Sequence, residues 1–263
     1  MKPPPFRYLR PSTLEEALAM LAAEEDAKPL AGGQSLLPAL NMRLVRPSAL
    51  VDVNRVVGLD DVGTRDGSLA VGALARQADA RLRRHPLLAE ALPHVGHAAT
   101  RNRGTVGGSL AHADASAELP LCLVLLGGAV RARSARGERE IPASNFFLGP
   151  FTTALAADEL VLESTWPLEE DTGYAFEELA PRHGDYAFAA AAAAVRGDEV
   201  RVAVGAVVPR PTLLEVDPEN PGASAAAQVE PWATVHASAA YLRNLVRVLV
   251  ERAVARARER AAA

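Results

Sequence analysis

Two glycine-rich turns constrain this chain more than any other feature of its sequence. The first is residues 31–38, Ala-Gly-Gly-Gln-Ser-Leu-Leu-Pro, and the second is residues 105–114, Thr-Val-Gly-Gly-Ser-Leu-Ala-His-Ala-Asp. Each lies between an apolar stretch and a predicted helix start, where small residues leave backbone N–H groups uncovered and the helix N-terminus adds partial positive charge. Such turns bind anions, and two of them predict a two-sided clamp on a diphosphate.

The spacing of the glycines excludes the common nucleotide-binding motifs. Neither turn reads G-x-x-x-x-G-K-[S/T], the P-loop, and neither reads G-x-G-x-x-G, the Rossmann fingerprint. For one isolated Gly-Gly pair, a tight turn that needs a positive φ is the simpler interpretation. Two turns of the same type in one chain favour a shared ligand.

Composition and charge limit the partners of the chain. With 263 residues and a formal net charge of −4, it can bury a substantial core but lacks the basic balance that a nucleic-acid-binding face needs. No run of residues reaches the length of a membrane-spanning helix, and the first ten residues lack an apolar secretory core. We therefore expect a cytoplasmic protein with no nucleic-acid partner and no membrane span.

Cys122 is the only cysteine, and it lies in an apolar run. A single cysteine cannot form an internal disulfide or hold an iron–sulfur cluster, which takes about four thiolates. We interpret Cys122 as a small buried hydrophobic residue. Any iron–sulfur chemistry must therefore belong to another chain.

Local patterns predict a mixture of helices and strands. Ser12 or Thr13, with Glu15 or Glu16 three residues on, has the spacing of a capping box and opens a helix over 13–24. The other predicted helices cover residues 36–44, 76–91, 109–126 (interrupted by Pro120) and 237–260. The predicted strands cover residues 28–31, 49–53, 68–74, 129–133, 138–141, 159–165, 176–179, 188–195 and 200–208. The alanine run at 189–194 is assigned to a strand because a turn follows it, although alanine favours helix, and residues 209–228 are predicted to form a loop.

The residues around both turns resemble those of a known family. The first turn followed by Arg43-Leu44, and residues 101–114 over their whole length, are similar to two flavin-binding signatures of the FAD-binding medium subunits of molybdenum hydroxylases. This family includes carbon monoxide dehydrogenase and the xanthine dehydrogenase-like enzymes. Further matches cover residues 6–11, 145–149, 182–187 and 236–241. The resemblance therefore extends over nearly the whole chain.

The resemblance implies an α+β fold with three parts. Two N-terminal α/β subdomains of the PCMH-type FAD-binding fold, residues 1–56 and 57–170, would hold FAD between them. A C-terminal domain of antiparallel strands and helices, residues 171–263, would cover the flavin side of the cofactor.

The resemblance also assigns residues to the FAD site. The first turn would supply backbone donors to the pyrophosphate from Ala31, Gly32, Gly33, Gln34, Ser35 and Leu36. The second turn would contact the other side of the pyrophosphate and the ribityl chain through Thr105, Gly108 and Ser109. Glu118 would meet the adenosine part, where a carboxylate can accept hydrogen bonds from sugar hydroxyls.

Two positions depart from the family pattern. Ala115 follows Asp114 where members commonly have proline, and Glu178 stands roughly where many members carry a lysine that approaches the flavin. The missing cation bears on how reduced anionic flavin is stabilised. Both departures concern the tuning of the flavin rather than its binding.

Other polar side chains have competing interpretations. Tyr186 either covers the isoalloxazine ring or is a half-buried strand residue, and His112 either lines the flavin edge or lies on a helix surface. His112 and Asp114 point away from each other on a helix, so no metal site is predicted. Neither Ser35 nor Ser109 lies in the G-x-S-x-G context of a hydrolase nucleophile, and we assign no catalytic residue.

The function that the resemblance implies is electron transfer within a heterotrimeric oxidoreductase. FAD would be the cofactor, and the partners would be a large molybdopterin-binding subunit, a small [2Fe–2S] subunit and an external acceptor such as NAD or a quinone. Two alternatives remain open: a free-standing FAD-dependent oxidase, which needs a base beside the flavin, and a flavin-free scaffold subunit. The intact glycine pairs argue against the scaffold.

Overall fold

The first part of the fold is a small parallel sheet with two helices. The computed structural model describes residues 2–262. The first three strands are β1 (Arg7–Leu9), β2 (Lys28–Leu30) and β3 (Ala49–Asp52), and β3 lies in the middle of the sheet. Helix α1 (Leu14–Ala23) begins with the predicted capping box, in which the Thr13 hydroxyl accepts the Glu16 N–H. Helix α2 (Leu36–Asn41) follows the first glycine turn.

The second part is a five-stranded antiparallel sheet that carries the second glycine turn. The strands of this part are β4 (Val62–Arg65), β5 (Ser68–Gly72), β6 (Ala129–Ser134), β7 (Gly137–Pro142), β8 (Phe147–Gly149), β9 (Thr152–Thr153) and β10 (Leu160–Pro167). The sheet has the spatial order β4-β5-β10-β6-β7, and a separate hairpin contains β8 and β9. The helices are α3 (Pro86–Ala91), α4 (Ala98–Arg103), α5 (Val106–His112), α6 (Glu118–Leu125) and α7 (Ala143–Phe146).

The third part is a four-stranded antiparallel sheet with its strands in chain order. These are β11 (Gly173–Leu179), β12 (Ala189–Arg196), β13 (Glu199–Gly205) and β14 (Thr212–Leu214), followed by helices α8 (Pro221–Ala227) and α9 (Ala239–Ala261). The sheet is covered on both faces, by α9 on one and by α3 and α6 on the other. All six alanines of β12 are buried. Even-numbered ones join the core of the second part, and odd-numbered ones join the core beneath α9.

This packing explains why the alanine run is a strand. Side chains alternate between the two faces of a strand, and here both faces are buried. Because the alanine side chain is small, a layer of the fold can pack closely on each face of the strand. This burial on both faces overrides the preference of alanine for helix. The prediction of a strand over 188–195 is confirmed, within one residue at each end.

The predicted helix over 76–91 is wrong. Residues 80–84 form a short 3-10 helix capped by the Asp79 side chain, and α3 begins only at Pro86. Proline forces the preceding residue out of the helical region, and His85 has φ −90° and ψ 119°. The His85 ring compensates by accepting the Leu87 N–H at 3.2 Å.

Two further predictions, later in the chain, need correction. The helix predicted over 109–126 is two helices, α5 and α6, because Ala113 adopts a left-handed conformation with φ 51° and ends α5. Pro120 does not interrupt α6, since it lies in the first turn, where no N–H is needed. The loop predicted over 209–228 contains β14 and α8.

The expectations about membrane spans, location and domain boundaries concern the whole chain. Within residues 2–262, none of the helices combines the length and the apolar character needed to cross a membrane. The cytoplasmic location and the domain boundaries at 56/57 and 170/171 stay predictions.

Candidate functional site

The first glycine turn presents a row of free backbone donors. It connects β2 to α2, and Gly33 adopts φ +73°, which only glycine reaches without strain. None of the N–H groups of residues 32–36 donates a hydrogen bond to another group within residues 2–262. The Ser35 side chain does not cap α2 either. A row of unpaired N–H groups of this kind is suited to the oxygens of an anion.

The second turn uses its backbone differently. Val106 N–H donates to the Ala75 carbonyl at 2.9 Å, and Gly107 N–H donates to the Ala73 carbonyl at 3.0 Å. The Thr105 hydroxyl accepts the Gly108 N–H at 3.1 Å. The expectation that this turn also leaves a row of uncovered N–H groups is therefore wrong, because the chain that follows β5 occupies them. Its glycines serve close packing instead, since a Cβ on Gly107 would lie 2.6 Å from Cα of Ala73.

The two turns lie against each other. A Cβ on Gly32 would overlap the Arg103 carbonyl oxygen and lie 2.8 Å from Cα of Gly104. From the other side, a Cβ on Gly108 would lie 3.9 Å from Cβ of Ala31. The structure thus brings together the two turns that the sequence places about 75 residues apart.

A network of polar side chains, which sequence reasoning missed, joins the turns. The Asn54 amide donates to the carbonyls of Leu30 and Ala31, at 3.2 and 2.9 Å. The Arg76 guanidinium donates to Asn54 Oδ1 at 2.8 Å and to the Arg103 carbonyl. Through Asn54, one arginine therefore connects the start of the first turn to Arg103, two residues before the second.

Asp52 anchors this network in the first sheet. Its carboxylate accepts both the backbone N–H and the side-chain amide of Asn54, at 3.0 and 2.7 Å, and also the hydroxyl of Tyr8. Burial alone would raise the pKa of Asp52, but the hydrogen bonds from Tyr8 and Asn54 outweigh it and lower that pKa. The sequence did offer one sign of this network, which is the position of Asp52 and Asn54. They lie at the carboxyl end of a parallel strand, where ligand sites in α/β folds gather.

We expect Arg76→Met to weaken ligand binding at the turns about tenfold. The change removes two hydrogen bonds that hold the turns together, each worth about 1 kcal/mol. Arg81→Met is the matched control, because exposed Arg81 pairs with half-buried Asp79 and contacts neither turn. Equal dissociation constants for FAD, the cofactor that the resemblance implies, in the two variants, measured by fluorescence titration, would contradict the role given to Arg76.

A second group of predicted residues lies where α5 ends and α6 begins. Glu118 is the half-buried first residue of α6, and burial above all raises its pKa to about 7, with Glu178 and Asp114 adding to the effect. Tyr186 is 66% exposed. Burial raises the pKa of Tyr186, and so do the carboxylates of Asp114 and Glu118. Tyr186 and Glu118 are therefore electrostatically coupled.

His112 occupies the last position of α5. Its ring centroid lies 5.0 Å from that of Phe151, and burial lowers its pKa. Phe151 is 62% exposed and adopts φ +54°, held by a hydrogen bond from its N–H to the Ala113 carbonyl. A strained, exposed aromatic residue is typical of a functional surface. The contacts of His112 fit both of its interpretations.

Comparison with known proteins identifies the family. A family model described as the FAD binding domain in molybdopterin dehydrogenase matches residues 4–169. The chain belongs to this family. The matched region contains the two turns, Asn54, Arg76 and Glu118, and FAD is the cofactor of this family.

Relatives that match over nearly their whole length are oxidoreductase subunits. This chain is 42% identical to the 6-hydroxypseudooxynicotine dehydrogenase complex subunit alpha of Paenarthrobacter nicotinovorans, over 99% of this chain and 97% of that protein. It is 38% identical to the nicotine 6-hydroxylase medium subunit of the same organism, over 98% and 99% of the two chains. The subunit also superposes on a chain of carbon monoxide dehydrogenase from Hydrogenophaga pseudoflava with a TM-score of 0.94 and 30% identity, covering 99% of both. The expected α+β fold and the medium-subunit family are thus confirmed.

Proposed function

We propose that this medium subunit is the electron-transfer station of a heterotrimeric molybdenum hydroxylase. In this proposal electrons arrive from the clusters of a small [2Fe–2S] subunit, which receives them from a large molybdopterin-binding subunit. An external acceptor such as NAD or a quinone then takes them. Bound FAD supplies the chemistry, because a flavin exchanges electrons singly or in pairs.

The observation that carries the proposal is the pairing of the two turns. The N–H groups of residues 32–36 are free, and the second turn lies against the first, with Gly104 packed on Gly32 and Gly108 near Ala31. In the proposed complex, residues 31–36 bind the pyrophosphate, and Thr105, Gly108 and Ser109 line its other side. Arg76 and Asn54 are positioning residues, which act on the cofactor through the turns.

Glu118 and Tyr186 are proposed to contact the same half of FAD. The resemblance assigned Glu118 to the adenosine part, whereas Tyr186 was left open between covering the flavin ring and a position in a strand. The Glu118 carboxylate raises the pKa of Tyr186, which favours placing both side chains along the same half of the cofactor. We favour the flavin half for both, since Tyr186 belongs to the third part of the fold, which the resemblance places on the flavin side.

The division of labour among subunits follows from the side chains that this chain lacks. Cys122 is its only cysteine, and it is fully buried. Burial raises the pKa of the Cys122 thiol, which keeps it protonated and unreactive. Iron–sulfur clusters therefore need a partner chain, and the names of the relatives, a medium subunit and a subunit of a complex, support such an assembly.

The experiment that tests the proposal compares the chain purified alone with the chain co-expressed with its genomic neighbours. We expect a yellow protein with flavin bands near ~370 and ~450 nm, and co-purification with a molybdopterin chain and a cysteine-rich chain. A chain that stays colourless after incubation with FAD would favour the scaffold. A yellow chain that oxidises a substrate unaided would favour the free-standing oxidase.

A further inference from the structure

A cavity opens between residues 2–6 and the segment that follows α2. Its volume is about 730 Å³, and its walls are residues 2–6, Lys-Pro-Pro-Pro-Phe, together with Arg43 and Arg46. Three of these seven residues are cations and none is an acid, although the chain as a whole has a formal net charge of −4. The side chains of Arg43 and Arg46 form no ion pair and donate no hydrogen bond within residues 2–262. The cavity therefore presents positive charge that the described part of the chain leaves uncompensated.

This cavity lies at the opposite edge of the first sheet from the glycine turns. Strands β1, β2 and β3 are parallel, so the segments that precede β1 and β3 enter the sheet at the same edge, and these segments line the cavity. The first glycine turn follows β2 and therefore leaves the sheet at the other edge. Helix α2 begins at the turn and ends beside the cavity, and its six residues, at about 1.5 Å each, span about 9 Å. The cavity is therefore separate from the proposed pyrophosphate site.

Exposed apolar side chains flank Arg43. Met42 is 55% exposed and Leu44 is 72% exposed. Arg43 adopts φ +59°, a left-handed conformation that is uncommon for residues other than glycine and that clusters at functional sites. Arginine, methionine and aromatic residues are enriched in protein–protein interfaces, and acidic residues are depleted there. The composition of this surface is therefore typical of an interface.

The other wall of the cavity is ordered before any partner binds. Residues 3–5 are three consecutive prolines, whose rings fix φ at about −65°. A wall of this kind loses little conformational entropy when another chain packs on it. Because proline has no backbone N–H to donate, an acceptor that enters the cavity is left to the cations.

We propose that residues 2–6 and 42–46, which we call the basic face, are the docking surface for an acidic segment of a partner subunit. Arg43 and Arg46 bind carboxylates of that segment, since a guanidinium group can donate two parallel hydrogen bonds to one carboxylate. Met42 and Leu44 pack on the apolar side chains beside those carboxylates. A free inorganic anion would match the charge but leave both apolar side chains in water, so a chain segment fits this face better. The inference rests on the proposed function, because it requires the partner subunits of the hydroxylase.

The test is co-purification of the full-length chain with its co-expressed genomic neighbours in about 0.15 M salt. We expect Arg43→Glu/Arg46→Glu to recover less than about a tenth of the partner subunits that the parent recovers, because like charges then meet across the interface. Arg83→Glu/Arg84→Glu is the matched control, since it changes the net charge equally at two exposed arginines of the 3-10 helix. This control should recover the partners like the parent.

A second variant tests the apolar part of the basic face. Leu44→Asp removes an exposed apolar contact and places a carboxylate opposite the acidic segment, so we expect partner recovery to fall about tenfold. Val57→Asp is its control, because Val57 is also highly exposed but lies outside the basic face. Both basic-face variants should keep the FAD content and melting temperature of the parent, since the substituted side chains are exposed and lie away from the turns. Loss of FAD together with the partners would show that the face acts through the cofactor site, and would overturn the proposal.

The remaining outcomes distinguish this inference from its rivals and from the proposed function. Full recovery of the partners by Arg43→Glu/Arg46→Glu, or an equal loss in its control, would overturn the docking surface and leave the heterotrimer untouched. By light scattering of the chain without its neighbours, a parent dimer that the charge reversal converts to a monomer would assign the face to a second copy of this chain instead. If the parent binds FAD but recovers no partner, the proposed heterotrimer and this inference fall together.

Discussion

A chain carrying Gly32→Val is expected to fold and to retain less than about a tenth of the FAD that the parent binds. The new Cβ would overlap the Arg103 carbonyl oxygen and lie 2.8 Å from Cα of Gly104. Both neighbours are backbone, so no side-chain rotation relieves the contact. The second turn has to move away from the first, and the free N–H groups of residues 32–36 then lose their position relative to Thr105 and Ser109.

The control for this experiment is Gly63→Val. Gly63 lies in β4, has no positive φ, and a Cβ there would meet no atom within 4 Å. We expect this variant to bind FAD like the parent, judged by the ratio of absorbance at ~450 and ~280 nm after desalting. Should Gly32→Val prove insoluble, Gly32→Ala introduces the same Cβ with less bulk. Full FAD content in either soluble variant would show that contact between the turns is not needed for binding.

Gly173→Ala is expected to destabilise the third part of the fold by about 3 kcal/mol, in the upper range for overpacking. Gly173 begins β11, and a Cβ there would overlap the Ala257 carbonyl oxygen and lie 2.5 Å from the Ala261 backbone nitrogen. Both atoms belong to α9. The helix must therefore lift from the sheet, and it takes with it a buried face made of Leu242, Leu245, Val246, Leu249, Val250, Ala253, Val254 and Ala257.

The measurement is the melting temperature by calorimetry, with a fall of roughly 6–12 °C expected for a chain of this size. Gly149→Ala is the control, because a Cβ at Gly149 would meet no atom within 4 Å and its φ is not positive. Movement of α9 also reaches α3, since Arg256 and Arg260 both pair with Glu90. Equal melting temperatures for the two variants would mean that α9 adjusts to the extra methyl group without cost.

Several features could be predicted from the sequence, because each depends only on residues that are near one another in the chain. The capping box at Thr13 and Glu16 acts within one helical turn, and the apolar spacing of residues 237–260 reflects a single buried face. The glycines of the first turn were recognised because their conformation and their free donors depend on their immediate neighbours.

Features that depend on distant contacts were missed. The N–H groups of Val106 and Gly107 are occupied by the Ala75 and Ala73 carbonyls, about 30 residues away, so the sequence around the second turn gives no sign that they are taken. The apolar spacing of Leu82, Leu87 and Leu88 suits a helix, yet Pro86 divides it. The roles of Arg76 and Asn54 appear only when two separate sheets are brought together.

The alanines of β12 have a consequence for how this subunit can move and change. Two layers approach the strand from opposite sides, and a methyl group is all that separates each of them from its backbone. Because both layers pack closely on the backbone of β12, there is no free space into which either could slide. We therefore expect α9 and the layer containing α6 to move together as one rigid body rather than about a hinge. Larger side chains at even-numbered positions would press on the core of the second part, and those at odd-numbered positions would press on α9, so each position of the strand constrains one layer only.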